Sequence, residues 1–237
     1  MTRHIVAMGG GGFSMSQFGE PTKLDRYLVQ VTGKDHPHVC FAPTASGDDP
    51  AYVRRFLTAY GALGVRTSVL TLWQDAATAV DRLAEADLLF VGGGSTVNLM
   101  ALWTAHGVLR VIRQRYAEGS LVLAGISAGA ACWYSGCVTD SFGDLRPWHG
   151  GLGLVPGSFC PHLDGEPGRR PVYTEAVATG ALPHGYAADD GAGVHYRDET
   201  PQAFICERPG QVVYRVLPND MARGAAIIEP QPMTVFG

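Results

Sequence analysis

The stretch Leu121-Val122-Leu123-Ala124-Gly125-Ile126-Ser127-Ala128-Gly129-Ala130-Ala131 carries the reading of the fold. Its first four residues are continuously apolar, as in a strand buried on both faces. The chain then turns through G-x-S-x-G and continues in small residues that can begin a helix. Strand, sharp turn and helix in that order make the local sequence of a nucleophile elbow. Such a turn strains its central residue, and the positions two away on either side must be Gly for the chain to pass. The Ser127 hydroxyl would then project at the sheet edge, near the positive end of the following helix. There the N–H of Ala128 is free to hold an oxyanion. The plainer alternative is a tight strand–helix turn with an incidental serine, since the pattern recurs by chance.

Working outward from Leu121, short apolar runs alternate with helical patterns. Strands are expected at His4–Met8, His38–Ala42, Arg66–Leu70, Leu88–Val91 and Leu121–Ala124. Asp49–Leu63 places Val53, Phe56, Leu57 and Tyr60 on one helical stripe. Asp75–Ala86 starts at an acidic cap, and Thr96–Trp103 and Val108–Glu118 complete the helices of this half. Alternation of this kind gives right-handed crossovers, so the fold class is α/β, a mostly parallel sheet with helices on both faces. Ligands of such sheets bind outside the carboxyl ends of the strands. The glycine runs Gly9–Gly12, Gly92–Gly94 and Gly125–Gly129 fall there. After about residue 136 loops and short strands take over, with strands at Ala203–Glu207 and Val212–Val216 and a helix at Pro171–Thr179. No linker or composition break divides residues 1–237, which read as a single domain.

Composition narrows the class. The 237 residues hold 18 Lys and Arg against 22 Asp and Glu, a formal charge of −4, with no basic run. That argues against nucleic acid as a partner. Apolar residues make up 46% and charged ones 17%, which excludes a disordered chain. No run is long enough to span a bilayer, and Met1-Thr2-Arg3-His4 enters a strand without a signal-peptide core. Five cysteines, an odd number in a chain too large to need staples, read as reduced thiols of a cytoplasmic protein. Neither C-x-x-C nor H-E-x-x-H occurs, so no metal is expected. The Gly9–Gly12 run invites a dinucleotide reading, but position 14 is Ser where a third glycine should stand, and no cofactor is expected.

A serine nucleophile needs a base, normally a histidine oriented by a carboxylate. His4, His36 and His38 flank strands at the wrong sheet end, and His106 sits between helices. His149, His184 and His162 remain as loop histidines. For the acid, Asp140, Asp144, Asp164, Asp189 and Asp190 stay open. Gly92-Gly93-Gly94-Ser95 precedes a helix and could give a second oxyanion donor, or cradle a phosphate.

Taken together, Val91-Gly92-Gly93-Gly94, the S-A-G-A elbow at Ser127 and Pro161-His162 about 35 residues later resemble the peptidase E (aspartyl dipeptidase) family of serine peptidases. Cyanophycinases are relatives in that group. The resemblance covers nearly the whole chain. It implies a fold similar to class I glutamine amidotransferases, with Ser127 in place of their cysteine, His162 as base, and the amides of Ala128 and Gly93 as oxyanion hole. It offers two acids, Asp140 after the nucleophile helix and Asp190 before a glycine. Asp190 is preferred, because Ser, His and acid would then come from three successive strand ends. Two departures stand out: Ser95 where the family commonly has Asn, and Asp190 where it often has Glu.

Relatives of this kind cleave dipeptides with an amino-terminal aspartate. A pocket for that carboxylate calls for arginine, and Arg169 and Arg170, seven and eight residues past His162, are the best placed. Glu166 is a candidate for the substrate's ammonium group. The expected partner is thus a small peptide, with a homodimer the one assembly carried forward. Two other readings stay open: a hydrolase of another acyl compound such as β-aspartyl-arginine, and a non-catalytic binder of a small anion. Residues 136–157, with Trp148 and His149, are left open as a lid or a cover on the core.

Overall fold

A computed structural model describes residues 2–74, 76–219, 221–222 and 224–235. Along the chain run β1 (His4–Met8), α1 (Lys23–Val31), β2 (His38–Ala42), α2 (Pro50–Ala62), β3 (Arg66–Val69), α3 (Ala76–Ala84) and β4 (Leu88–Val91). Next come α4 (Thr96–Ala105), α5 (Val108–Ala117), β5 (Val122–Ile126), α6 (Ala128–Ala131), β6 (Gly136–Thr139), β7 (Arg146–His149) and β8 (Ser158–Cys160). The rest is α7 (Arg169–Ala178), β9 (Gly185–Ala188), β10 (Ala192–Arg197), β11 (Thr200–Cys206), β12 (Val213–Pro218), β13 (Ala226–Pro230) and β14 (Met233–Val235). The acidic cap expected at Asp75 lies outside the described residues.

The five strands expected from the sequence stand side by side and parallel, in the order β1-β5-β4-β2-β3. Their two faces are sorted by the pleat. Ile5 and Ala7 of β1 join the layer built with α3, α4 and α5, while Val6 and Met8 join the one built with α1 and α2. Helices therefore cover both faces, and each strand needs apolar residues at consecutive positions. Phe13, just past the Gly9–Gly12 turn, is fully buried and meets the rings of Phe41 and Phe90 at 5.7 and 5.4 Å. Each such pair contributes about 1 kcal/mol beyond its buried area, which fixes that turn at the carboxyl end of β1.

Beyond β1 the sheet stops being parallel. Strand β10 runs antiparallel to β1 and carries β11 and β14 outside it, making eight strands among the described residues. The hairpin linking β10 to β11 turns through Asp198 and Glu199, both at positive φ (47° and 62°), the geometry of a two-residue hairpin loop. Asp-Glu lacks the glycine that normally announces that loop.

The loops and short strands expected after residue 136 include a second, six-stranded sheet in the order β13-β12-β9-β8-β6-β7, in which the expected strand Val212–Val216 is β12. Helix α7 packs on it through Tyr173, Ala176 and Val177. Residues 136–157 divide between the two: β6 and β7 form an antiparallel hairpin of this sheet, while Leu152 and Val155 are buried in the core built with α3, α4 and α5. Helix α1 was not anticipated, although Thr22 and Asp25 form a reciprocal capping box. Leu57 was placed on the buried stripe of α2, yet it is 41% exposed, and Ala59 turns inward with Phe56 and Tyr60. No helix among the described residues is long and apolar enough to cross a membrane.

Candidate active site

Strand β5 delivers Ser127 into a conformation that side chains avoid, φ 54° and ψ −120°. The turn is packed to backbone contact on both sides. A Cβ added to Gly125 would stand 2.1 Å from the Gly129 carbonyl oxygen, and one added to Gly129 2.3 Å from that of Val91. The Ser127 N–H donates to the Met8 carbonyl at 3.1 Å, tying the elbow to the last residue of β1.

Two residues further along, Gly10 meets the rest of the cluster. It bridges Asp190 in parallel register, and its carbonyl accepts the Gly191 N–H at 3.0 Å. A Cβ on Gly10 would fall 2.1 Å from Asp190 Oδ1 and 2.8 Å from His162 Cε1. His162 follows β8 and takes φ 52°. Its Nδ1–H donates to Asp190 Oδ1 at 2.5 Å, which leaves the Nε2 lone pair as the basic site. On its other side Asp190 is closed by Gly165, where a Cβ would lie 2.5 Å from Oδ2. The structure thus sets the Ser127 backbone on Met8 and the His162–Asp190 pair on Gly10, two residues apart at the end of one strand.

Gly10→Ala tests that packing. The methyl group must displace the His162–Asp190 pair, and a shift of about 1 Å in such a pair costs roughly 10²-fold in turnover. Gly61→Ala, on the exposed side of α2 where an added Cβ meets nothing within 4 Å, is the matched control. It should leave turnover intact and raise stability by about 0.5–1 kcal/mol. Equal turnover in the two variants would show that Gly10 imposes no such constraint.

The other expected residues fall as follows. Gly93 abuts Ser127: a Cβ there would be 3.2 Å from Ser127 Cβ and 3.6 Å from Oγ. Its N–H donates at 3.4 Å to the hydroxyl of Tyr52, a residue the sequence reading missed. Burial pushes that hydroxyl up to about 12, so it stays protonated. Nothing in the periodicity of α2 marks Tyr52, because its partner lies 41 residues away. Asp140 is exposed in the turn after β6, and its carbonyl accepts the Gly143 N–H. Of the two acids, it is Asp190 that the structure pairs with His162.

Arg169 is buried, with Nε 2.5 Å from Glu166 Oε2 and Nη1 3.4 Å from the Val138 carbonyl. Arg170 is more open. It donates to Asp164 Oδ1 through Nη2 at 2.8 Å and Nε at 3.2 Å, and lies 4.7 Å over the Tyr214 ring. Both guanidinium groups therefore already hold a carboxylate of the same turn. Helix α7 begins at Arg169, two residues before the proline expected to open it. His149, expected in a loop, ends strand β7 and faces the Ala181 carbonyl through Nε2. His195 is buried between His4 and Tyr27 at the amino end of the sheet. Among the described residues no cluster of side chains suits a metal ion.

A strained serine elbow tied to the strand whose following glycine packs on a histidine–carboxylate pair supplies the groups an acyl-transferring hydrolase needs. Comparison with known proteins makes the class definite. The model of Peptidase family S51 matches residues 5–204, and the chain belongs to that family and is a peptidase. It is 41% identical over 236 residues, 99% of its own length and the whole of the relative, to the uncharacterized peptidase YgaJ of Bacillus subtilis (strain 168). It is 31% identical over 150 residues to Peptidase E of Streptomyces coelicolor (strain ATCC BAA-471 / A3(2) / M145), covering 61% of this chain and 60% of the relative. The crystal structure of a peptidase from an acI-B1 Actinobacterium shares the fold at TM-score 0.68 and 16% identity, over 96% of this chain and 97% of that one.

Proposed function

We propose that the chain is a serine exopeptidase that hydrolyses dipeptides with an amino-terminal aspartate through an acyl-enzyme on Ser127. The observation that carries this reading is the His162–Asp190 hydrogen bond at the strand end whose Met8 carbonyl also holds the elbow. Ser127 Oγ attacks the scissile carbonyl while His162 Nε2 takes its proton. Asp190 keeps the imidazole in the required tautomer. His162 then returns the proton to the leaving amine, and water repeats the cycle on the acyl-enzyme. The oxyanion takes the Ala128 amide and a second amide of the Gly92–Gly94 run. For Gly93 to serve, its N–H must leave the Tyr52 hydroxyl.

Aspartate recognition falls to Arg170, whose side chain is 37% exposed against 4% for Arg169. The incoming carboxylate would displace or join Asp164 on that guanidinium. Glu166 is half-exposed and could face the substrate ammonium, sharing it with Arg169. Support for the peptidase E reading comes from the Streptomyces relative of that name.

The test is hydrolysis of X-Leu dipeptides and X-p-nitroanilides by the wild type, Ser127→Ala and Arg170→Ala. Cleavage confined to X = Asp, absent in the serine variant and with KM raised by Arg170→Ala, is the expected result. Turnover of β-aspartyl-arginine or an ester in place of Asp-X would keep the nucleophile and discard the substrate. With no turnover of any member and no phosphonate labelling of Ser127, a binding protein becomes the better reading.

A further inference from the structure

The Gly92–Gly94 run is pinned at both ends by the segment that follows β2. Gly92 N–H donates to the Ala42 carbonyl at 3.0 Å, and Ser95 N–H to the Ala45 carbonyl at 2.8 Å. Gly94, at φ 135°, packs so closely there that an added Cβ would stand 2.2 Å from the Ala45 oxygen. Between these fixed points the Gly93 N–H is held by a side chain, the Tyr52 hydroxyl at 3.4 Å. The peptide that carries this N–H joins two glycines, so no Cβ of its own resists its turning over. Its direction has to come from outside the run.

Tyr52 is placed to supply that direction. It is the third residue of α2, a helix opened by Pro50 and capped by Asp49, whose Oδ1 accepts the Ala51 N–H at 3.0 Å. The ring meets Phe41 of β2 edge-on at 5.0 Å and lies 5.6 Å from Phe13. A Cβ on Gly92 would be 2.8 Å from Tyr52 Cε1, so the ring rests directly on the backbone of the run. Residues from the turn after β1, from β2 and from the turn after β4 thus meet on one ring. Its hydroxyl ends at the amide that lies beside Ser127.

We propose that Tyr52 is a positioning residue for the reaction proposed above: its hydroxyl aims the Gly93 N–H in the free enzyme and yields it to the oxyanion when Ser127 attacks. Tyr52 acts through Gly93, which is the group that touches the reacting oxygen. A neutral hydroxyl at 3.4 Å is a weak acceptor, whereas an oxyanion takes the same N–H in a shorter, charge-assisted bond roughly twice as strong. The exchange therefore favours the transition state over the ground state, and only such an interaction accelerates the step. Because the amide is already aimed, little reorganisation is left for the moment of reaction.

Tyr52→Phe tests the role, because it keeps the ring on Gly92 and Phe41 and removes only the hydroxyl. With Asp-p-nitroanilide as substrate, kcat should fall about 10- to 100-fold at unchanged KM, short of the 10²- to 10³-fold that outright loss of an oxyanion donor costs. The rate at which a fluorophosphonate probe labels Ser127 should fall in parallel, with the thermal midpoint moved by less than about 4 °C. In the free protein, amide exchange followed by NMR should quicken at Gly93 roughly 2- to 10-fold, the worth of one hydrogen bond. Gly92, whose N–H is on the Ala42 carbonyl, should exchange as before. A kcat equal to or above that of the wild type would mean the hydroxyl merely competes with the oxyanion. A change confined to KM would mean that it touches the substrate. Either result overturns the proposal, as does unchanged exchange at Gly93 or an activity loss that comes only with a collapsed midpoint. The inference rests on the serine-peptidase reading, yet the two fail separately. A wild type that cleaves nothing and takes no probe on Ser127 defeats that reading, while exchange at Gly93 still judges whether the hydroxyl holds the amide.

Discussion

Ser127→Ala should abolish turnover, on the order of 10⁶-fold in kcat if Ser127 and His162 act as one unit, while the protein stays folded. The second half of that expectation is the more informative, because it comes from the backbone. A serine at φ 54°, ψ −120° stores strain of about 1–3 kcal/mol, which persists only where the surroundings enforce it. Here the enforcement is visible: the Gly125 and Gly129 backbones touch their neighbours with no room for a side chain. Ser127→Gly should therefore be as inactive as Ser127→Ala and more stable than the wild type by about 1 kcal/mol, or roughly 2–4 °C in Tm for a chain of this size. Calorimetry on the three proteins decides it. A Ser127→Gly variant less stable than the wild type would mean the elbow is not strained. Retention of a tenth of the activity in either variant would remove Ser127 from the reaction.

The half of the fold that could be read from the sequence is the half whose signals are local. The central parallel strands β1, β2, β4 and β5 are buried on both faces, so they announce themselves as unbroken apolar runs, and the crossover helices read from the sequence carry their own cap or stripe, whereas α1 passed unread despite its capping box. The elbow is legible for the same reason, since Gly125, Ser127 and Gly129 state a steric demand within five residues. Of the second sheet only β12 was legible, as the run Val212–Val216. Its strands are three to six residues long and pair across large separations: β6 lies beside β8, and β12 beside β9. Edge strands such as Arg146–His149 expose polar side chains on both faces and so lack alternation. Candidate residues divided along the same line. Nothing near His162 in sequence identifies its partner, because the bond spans 28 residues; the family resemblance offers Asp140 and Asp190, and the order of strand ends prefers Asp190. Arg169 and Arg170 were chosen for charge and nearness. The sequence could not show that Glu166 and Asp164, from the same turn, would occupy them.

Asp190→Asn is the substitution that separates the two acids. Asp190 Oδ1 receives the His162 Nδ1–H, and the carboxylate lies against Gly10 and Gly165, where an added Cβ would stand 2.1 Å from Oδ1 and 2.5 Å from Oδ2. An asparagine fits the same space, so folding should be unaffected. Its amide, however, can donate to Nδ1 and move the ring proton to Nε2, where it blocks acceptance from Ser127. The loss of charge also removes the group that stabilises the imidazolium. In a triad that exchange costs about 10⁴-fold in kcat, with little change in KM. Asp140→Asn should stay within about twofold, since that side chain is exposed in the turn after β6 and a surface change of this kind is worth under about 0.5 kcal/mol. Asp190→Glu is the sharper probe. Glutamate often stands before this glycine in the family the sequence resembles, but here the extra methylene has to fit beside Gly10 and Gly165. Glu should recover only part of the lost activity, and the deficit should lie in kcat. Full activity with glutamate would mean the His162 turn yields freely. A large loss in Asp140→Asn alongside a small one in Asp190→Asn would reverse the assignment of the acid.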